Sequence, residues 1–395
     1  MANLHELERS MPVAPLGIIA LDSMAGMGRQ VDQYMAQFRH STDSLFQNDL
    51  SFEGYIKDSY LIKYEIPRFS TGEAKCVIHD SIRGKDLYIM IDICNHSLTY
   101  QMNGYTNHMS PDDHFQDLKR VISACEGHAA RINVIMPFLY EGRQHHRTGT
   151  ESLDCAYALS EIHEMGVDNI ITFDAHDPRV QNSIPMGGFD NHMPTLQFIQ
   201  ALTSAVDDLA LDKDHTIVIS PDAGALDRAI YFAGAMGADT GMFYKRRDYS
   251  VIVNGKNPIV AHEFLGSDIH GKDIIIVDDM ISSGESMLDT SAQLKAMGAK
   301  RVFICCTFGL FTNGLAAFDR AYESQNFDKV IVTNLTYLPP EIYQRPWFLC
   351  ADMSRQIATI IDLLNHSSSI SGELEPWDKI HDLLIGYYAS RKVEE

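Results

Sequence analysis

Ile274-Ile275-Ile276-Val277-Asp278-Asp279-Met280-Ile281-Ser282-Ser283-Gly284-Glu285-Ser286 is the stretch on which the reading of this chain turns. Its four leading apolar residues, Ile274–Val277, read as a strand buried on both faces. Two adjacent carboxylates follow at the C-terminal end, where open α/β sheets bind ligands. A short Ser/Gly loop then opens a helix near Ser286. Small residues let backbone N–H groups approach an anion, the helix N-terminus adds partial positive charge, and the hydroxyls add donors. The expected device is a phosphate cradle with two acids placed for sugar hydroxyls or Mg2+. Helix capping would account for one Asp or Ser, but not for two adjacent acids between an apolar strand and a Ser-Ser-Gly loop.

On either side of this stretch, Leu87–Ile93, Ile132–Met136, Asn169–Phe173, Thr216–Ile219, Arg301–Cys305 and Lys329–Val332 are further strand-like runs. Helical patterns such as Asp154–Met165 and Ser286–Met297 lie between them, and Leu16–Leu21 and Arg29–Phe38 read as a first strand and helix. The alternation predicts an α/β chain with parallel sheets flanked by helices. Arg83-Gly84-Lys85-Asp86-Leu87-Tyr88-Ile89-Met90 resembles His270-Gly271-Lys272-Asp273-Ile274-Ile275-Ile276-Val277. Ala130–Ile135 likewise resembles Lys300–Cys305, so two related domains are expected. The first copy is longer, and the polar stretch Ser97–Asp113 reads as an inserted loop. The Gly- and Pro-containing segment Pro185–Thr195 marks the boundary between domains 1–190 and 191–345. Residues 346–395 form a tail with helices Ser354–Leu364 and Trp377–Tyr388, unassigned to either domain.

The 395 residues are 45% hydrophobic, enough to bury two cores, and carry a formal net charge of −21. That field disfavours nucleic acid and anionic membrane as partners, but it leaves room for a local phosphate pocket. Seven cysteines without a C-x-x-C pair read as buried free thiols in a reducing compartment. With no basic-then-apolar leader and no bilayer-spanning run, a cytoplasmic protein is expected.

The Asp278–Ser286 segment resembles the phosphoribosyl-diphosphate loop of the type I phosphoribosyltransferase fold. Further stretches resemble ribose-phosphate pyrophosphokinases, in that family's order. They are Arg68-Phe69-Ser70-Thr71-Gly72-Glu73, Pro137–Gln144 ending in Arg143-Gln144, Thr172-Phe173-Asp174-Ala175-His176, Ile219–Arg228 with Ser220-Pro221-Asp222, and Lys245-Arg246-Arg247. Thr307–Gly314 is a looser match.

The resemblance implies a ribose-phosphate diphosphokinase using ATP, ribose 5-phosphate and Mg2+, assembled as a dimer-based homo-oligomer up to a hexamer. It places ATP on Phe69, Glu73, Arg143, Gln144 and His176, the Phe69 loop reaching the adenine held by a neighbouring subunit. Ribose 5-phosphate falls to Asp278, Asp279, Ser282, Ser283, Gly284, Glu285 and Ser286, and the metal to His176 and Asp222. Lys245, Arg247 and His176 are the implied catalytic groups, with Asp248–Gly271 as a long mobile lid. The chain departs from the family pattern at Thr71 and Ser282, where the family has acids, and at Phe308, where it has His. It departs also at His145-His146, read as a solvated loop in place of an acid and a base. A non-catalytic regulatory homologue and a nucleobase phosphoribosyltransferase are the alternative readings.

Overall fold

The computed structural model describes residues 11–41, 54–247 and 259–391. The chain divides into two compact units. The first comprises Met1–Met193, Asn334–Tyr337 and Asp352–Pro376; the second comprises Pro194–Thr333, Leu338–Ala351 and Trp377–Glu395.

In the first unit the strands are β1 (Leu16–Ala20), β2 (Tyr64–Glu65), β3 (Val77–Ile78), β4 (Asp86–Met90), β5 (Thr99–Met102), β6 (Tyr105–His108), β7 (Arg131–Ile135), β8 (Asn169–Phe173) and β9 (Gly188–His192). Five of them form one sheet in the order β1-β4-β7-β8-β9. Every pairing in it is parallel. All five β4 residues are buried, as expected for a strand covered on both faces, and helices Pro111–Cys125 and Asp154–Glu164 bring Leu118, Val121, Ile122 and Leu159 into the same core. The stretch Ser97–Asp113 is not a loop: β5 and β6 make an antiparallel hairpin, and Pro111 begins a helix capped by Ser110. Helix Ser354–Asn365, from the tail, packs on helix Ala25–Ser41. Fully enclosed Arg39 binds Asp362 Oδ1 at 3.0 Å and Asn365 Oδ1 at 2.8 Å beneath the Tyr55 ring.

The second unit contains β10 (Thr216–Ser220), β11 (Asp239–Arg247), β12 (Ile259–Leu265), β13 (Asp273–Ile281), β14 (Arg301–Gly309), β15 (Lys329–Thr333) and β16 (Phe348–Ala351), in the sheet order β12-β11-β10-β13-β14-β15-β16. All pairings are parallel except β11 with β12. The part of the expected lid at 259–265 is therefore a strand laid against β11, while 248–258 lies outside the described residues. The last helix, Trp377–Arg391, packs on helices Thr195–Ala205 and Leu226–Met236, and Tyr388 Oη accepts the Leu211 N–H at 2.9 Å.

The repeat read from the sequence has a physical counterpart in the hydrogen bonding. Asp86 opens β4 opposite Arg131 of β7, and Asp273 opens β13 opposite Arg301 of β14. Each arginine grips its aspartate through Nε and Nη2, at 2.8 and 2.6 Å in both units. One strand further, Asp168 accepts the Ile132 N–H and Asp328 the Val302 N–H, each at 2.8 Å. Bidentate pairing of a nearly enclosed carboxylate fixes the register of neighbouring parallel strands.

Removing Asp86 or Asp273 leaves a mostly buried guanidinium without its enclosed, bidentate partner. Asp86→Ala and Asp273→Ala should each lower the unfolding free energy by about 3 kcal/mol. Asp208→Ala removes the exposed second partner of Arg301 and should cost less than about 1 kcal/mol. Urea denaturation of the three variants is the check.

Candidate active site

Strand β13 runs further than its sequence suggests. Its pairing with β10 stops at Ile219↔Ile276, but its pairing with β14 continues through Asp278↔Cys306 and Met280↔Phe308 to Ile281↔Gly309. Asp278 and Asp279 thus lie within the strand, not after it, on an extension that β10 has already left. Asp278 keeps 21% side-chain exposure, whereas Asp279 is enclosed at 3%. Arg228, one turn into the helix that follows Ser220-Pro221-Asp222, brings Nη1 to 3.6 Å from Asp278 Oδ1. Burial pushes the Asp278 carboxyl well above the usual range; Asp279 adds to the shift and Arg228 opposes it.

After Ile281 the loop is held from outside. The amides of Leu310 and Phe311 donate to Ile281 O at 2.9 and 3.2 Å, and Thr312 N donates to Ser282 O at 3.0 Å. Ser282 and Ser283 are partly exposed. Gly284 turns the chain at φ +85° and, as the cap residue, offers no side chain to the helix, which starts at Glu285, one residue earlier than expected; only Ser283 Oγ, at 3.5 Å, accepts the Glu285 N–H. A Cβ on Gly284 would lie 2.4 Å from the Phe318 ring, so both the conformation and the space demand glycine. Glu285 and Ser286 are exposed in the first turn, whose amides point out of the helix end. Helix-start amides beside a reachable carboxylate are groups of the kind that bind an anion together with hydroxyls.

Asp222 is spoken for in part: it caps the turn Ala223–Ala225, and its Oδ1 accepts the Gly224 N–H at 2.9 Å. Thr307–Gly309, the start of the looser family match, continues β14, and Phe308 is buried at 2%. Lys245 and Arg247 fall at the end of β11; their side chains lie outside the described residues.

The first unit carries the other expected residues. Phe69 is 53% exposed and Glu73 is exposed, in a tight loop closed by Phe69 N to Glu73 O at 2.7 Å. Thr71 Oγ1 donates to Glu73 Oε2 at 3.1 Å. Arg143 is exposed and makes no ion pair with a described residue, while Gln144 Nε2 donates to Ser152 O at 2.9 Å. Asp174 leaves β8 at φ +43°, a left-handed conformation that aspartate tolerates better than most residues, and His176 follows exposed. His145 is not solvated. Its ring is 13% exposed, with Nε2 2.7 Å from His146 Nδ1 and 3.5 Å from Asp177 Oδ2, and its centroid is 5.3 Å from that of His176. Burial lowers its pKa, helped by His146 and His176 and opposed by Asp177. Hydrogen bonds from Arg179 hold the Asp177 carboxyl down at about 2.

The duplicated unit offers a comparison at Asp279. Asp86 aligns with Asp273, so Asp92 aligns with Asp279. Asp92 is fully used by the chain itself: Oδ1 accepts Cys94 N at 2.8 Å and Oδ2 accepts Tyr337 N at 2.6 Å. Burial pushes it up to about 7.

Two family models match this chain. Residues 17–166 match the N-terminal domain of ribose phosphate pyrophosphokinase, and residues 249–373 match the phosphoribosyl synthetase-associated domain. The chain belongs to the ribose-phosphate pyrophosphokinase family. Among curated relatives, the ribose-phosphate pyrophosphokinase of Vibrio parahaemolyticus is 28% identical over 310 residues, 78% of this chain and 89% of the relative. That of Oceanobacillus iheyensis is 27% identical over 281 residues, 71% of this chain and 79% of the relative. In structure, the phosphoribosylpyrophosphate synthetase of Mycobacterium smegmatis superposes with a TM-score of 0.69 at 20% identity, covering 89% of this chain and 99% of that one, which shows the shared fold.

The sequence of this pyrophosphokinase homologue gave no role to Arg228 and read His145 as solvated; a cation in the first helical turn after a strand-end acid is the signal that would have found Arg228. Among the described residues no three His, Cys, Asp or Glu side chains converge on a metal-sized point. Mg2+ needs no such cage, being held ordinarily by one or two carboxylates together with substrate phosphates, and Asp222 offers a carboxylate of that kind. All seven cysteines are free, and no described helix is long and apolar enough to cross a membrane.

Gly284→Ala should destabilise the protein by about 3 kcal/mol, through the left-handed φ and the Phe318 clash together. Gly234→Ala, in the helix Leu226–Met236 with open space around the added methyl, should instead stabilise by about 0.5 kcal/mol. Thermal or urea unfolding separates the two.

Proposed function

We propose that this chain transfers the β,γ-diphosphate of ATP to the 1-hydroxyl of ribose 5-phosphate, giving 5-phosphoribosyl 1-diphosphate and AMP. The observation that carries the reading is the Asp278–Ser286 segment. An anion seat built from a left-handed glycine and an uncapped helix end stands beside a carboxylate that has lost one strand neighbour. A phosphorylated sugar offers the two groups this pair takes, a phosphate and vicinal hydroxyls.

The 5-phosphate sits on the amides of Ser282, Ser283, Gly284, Glu285 and Ser286. Asp278 accepts the ribose hydroxyls, and Asp279, enclosed behind it, sets its charge. The 1-hydroxyl oxygen attacks the β-phosphorus and releases its proton to solvent, the bond from that phosphorus to the α,β-bridging oxygen breaks, and AMP departs with that oxygen. The work of the protein is positioning and charge neutralisation. Phe69 and Glu73 receive the adenine, Arg143 and Gln144 the nucleotide phosphates, and Lys245 and Arg247 the charge on the transferring group. Bound Mg2+ would neutralise the phosphates, with His176 and Asp222 as the side chains nearest its role. The active form is a dimer-based homo-oligomer in the cytoplasm.

The purified chain alone, given ribose 5-phosphate and Mg-ATP, should release AMP. Lys245→Ala should lower kcat on the order of a hundredfold. A chain that turns over only with an added partner would favour the regulatory homologue; one that needs a nucleobase and ignores ATP would favour the phosphoribosyltransferase.

Arg228 supplies a pH test. It opposes the upward shift of Asp278, and the sugar-binding form is the carboxylate, so binding is present above the pKa of Asp278 and lost as pH falls through it. Arg228→Leu removes the opposing charge and raises that pKa further. The acid limb of kcat/KM for ribose 5-phosphate should move to higher pH; a limb that stays in place would remove Asp278 from sugar binding.

A further inference from the structure

The hairpin β5–β6 has no counterpart in the second unit, where the helix at Glu285 follows β13 within a few residues; in the first unit Pro111 begins the corresponding helix well after β4. Its turn, Asn103-Gly104, has φ +50° and +82°, the two left-handed residues that suit a two-residue hairpin. The hairpin is not a free appendage. Asn103 N donates to Ser70 O at 2.9 Å. Met102 Sδ lies 2.7 Å from where a Cβ of Gly72 would stand, so the thioether packs directly on the bare glycine backbone, which is at φ +95°. The Tyr100 ring lies under the Arg68 guanidinium at 4.3 Å, and its hydroxyl donates to Asp113 at 3.3 Å.

Arg68 is thereby fastened on several sides. Nη2 donates to Asp117 at 2.8 Å and Nη1 to Gly72 O at 3.2 Å, and the side chain is 12% exposed. Its neighbour Phe69 is 53% exposed. The loop 68–73 is therefore gripped at its first residue, at Ser70 and at Gly72, while its aromatic ring is left outward.

We propose that the β5–β6 hairpin is a positioning clamp for nucleotide binding: Tyr100, Met102 and the Asn103 amide hold the Arg68–Glu73 loop in its binding shape, so that Phe69 and Glu73 meet the adenine without first paying to order the loop. This rests on the assignment of Phe69 and Glu73 to ATP made above. Tyr100, Met102 and Asn103 touch the loop and act through it. Loosening the clamp lowers the fraction of chains with a competent loop, and apparent affinity falls by that fraction.

Leu98 O and Met109 N are already bonded at 2.9 Å, so a short Gly-Ser linker can replace Thr99–His108 without stretching the chain. Tyr100→Ala with Met102→Ala is the milder variant, should the linker form fold poorly, and Tyr105→Ser, at a 74% exposed tip residue, is the control. Three quantities are read on the full-length protein: hydrogen-exchange protection of the Phe69 and Gly72 amides without nucleotide, the Kd of α,β-methylene ATP by calorimetry, and the KM values with kcat. Either clamp variant should lose the amide protection, weaken analogue binding and raise KM for ATP on the order of tenfold, and keep KM for ribose 5-phosphate and kcat at saturating ATP. Tyr105→Ser should leave all of them as in the unaltered protein. Protection that survives both clamp variants overturns the inference. So does protection lost with no change in nucleotide affinity, or a Tyr105→Ser effect equal to theirs. An unaltered protein that binds no analogue removes the ATP assignment itself, a result distinct from these.

Discussion

A parallel strand covered on both faces has no room for polar side chains until a neighbour leaves it, and in this protein the reach of Asp278 depends on where β10 leaves β13. The two strands separate after Ile219 and Ile276, while β14 keeps β13 extended for several residues more. On that half-paired ledge sit Asp278 and Asp279, and the chain departing from β10 carries Asp222 and then Arg228 to the same end of the sheet. The low-polarity surroundings that make the ledge a strand also make the Asp278 carboxyl reluctant to ionise, and the Arg228 guanidinium beside it opposes that effect.

The same supersecondary unit occurs twice, and the comparison separates scaffold from site. The Asp–Arg grip across adjacent strands and the Asp that receives the next strand's amide are the same in both units, down to their distances. These contacts set register, so they serve either copy equally. The two units part company at the end of the strand. In the second unit the chain turns at Gly284 into an uncapped helix; in the first, the matching acid Asp92 is consumed by the amides of Cys94 and Tyr337, and a hairpin is inserted before the helix. One scaffold therefore ends in an open helix start in one place and a structural latch in the other.

Most of the sheet was legible in the residues because apolar β-branched runs bounded by Gly-Lys-Asp turns have few ways to be buried; Asn169–Phe173 and the start of Arg301–Gly309 were readable to the residue. The misreadings share one cause. Tyr, Thr, Asn and His in Ser97–Asp113 are polar enough for a loop, yet cross-strand pairing and the Asn-Gly turn make them a hairpin. Asp278 and Asp279 look like residues past a strand, but β14 holds them inside it. His145 looks like a solvated side chain, yet it is packed between His146, His176 and Asp177. Each outcome depends on a partner remote in sequence, and local composition does not name that partner.

Residue order was enough to establish the α/β class, the duplicated strand pairs and the succession of stretches that resemble the family, because apolar periodicity and backbone sterics act over a few neighbouring residues. It took the folded chain to settle which of two adjacent acids, Asp278 or Asp279, stays reachable, which cation stands beside it, and that a polar insertion grips the Phe69 loop. Those results turn on burial and on distances between remote parts of the chain, and a carboxylate's charge or a loop's rigidity has no value until its surroundings are in place.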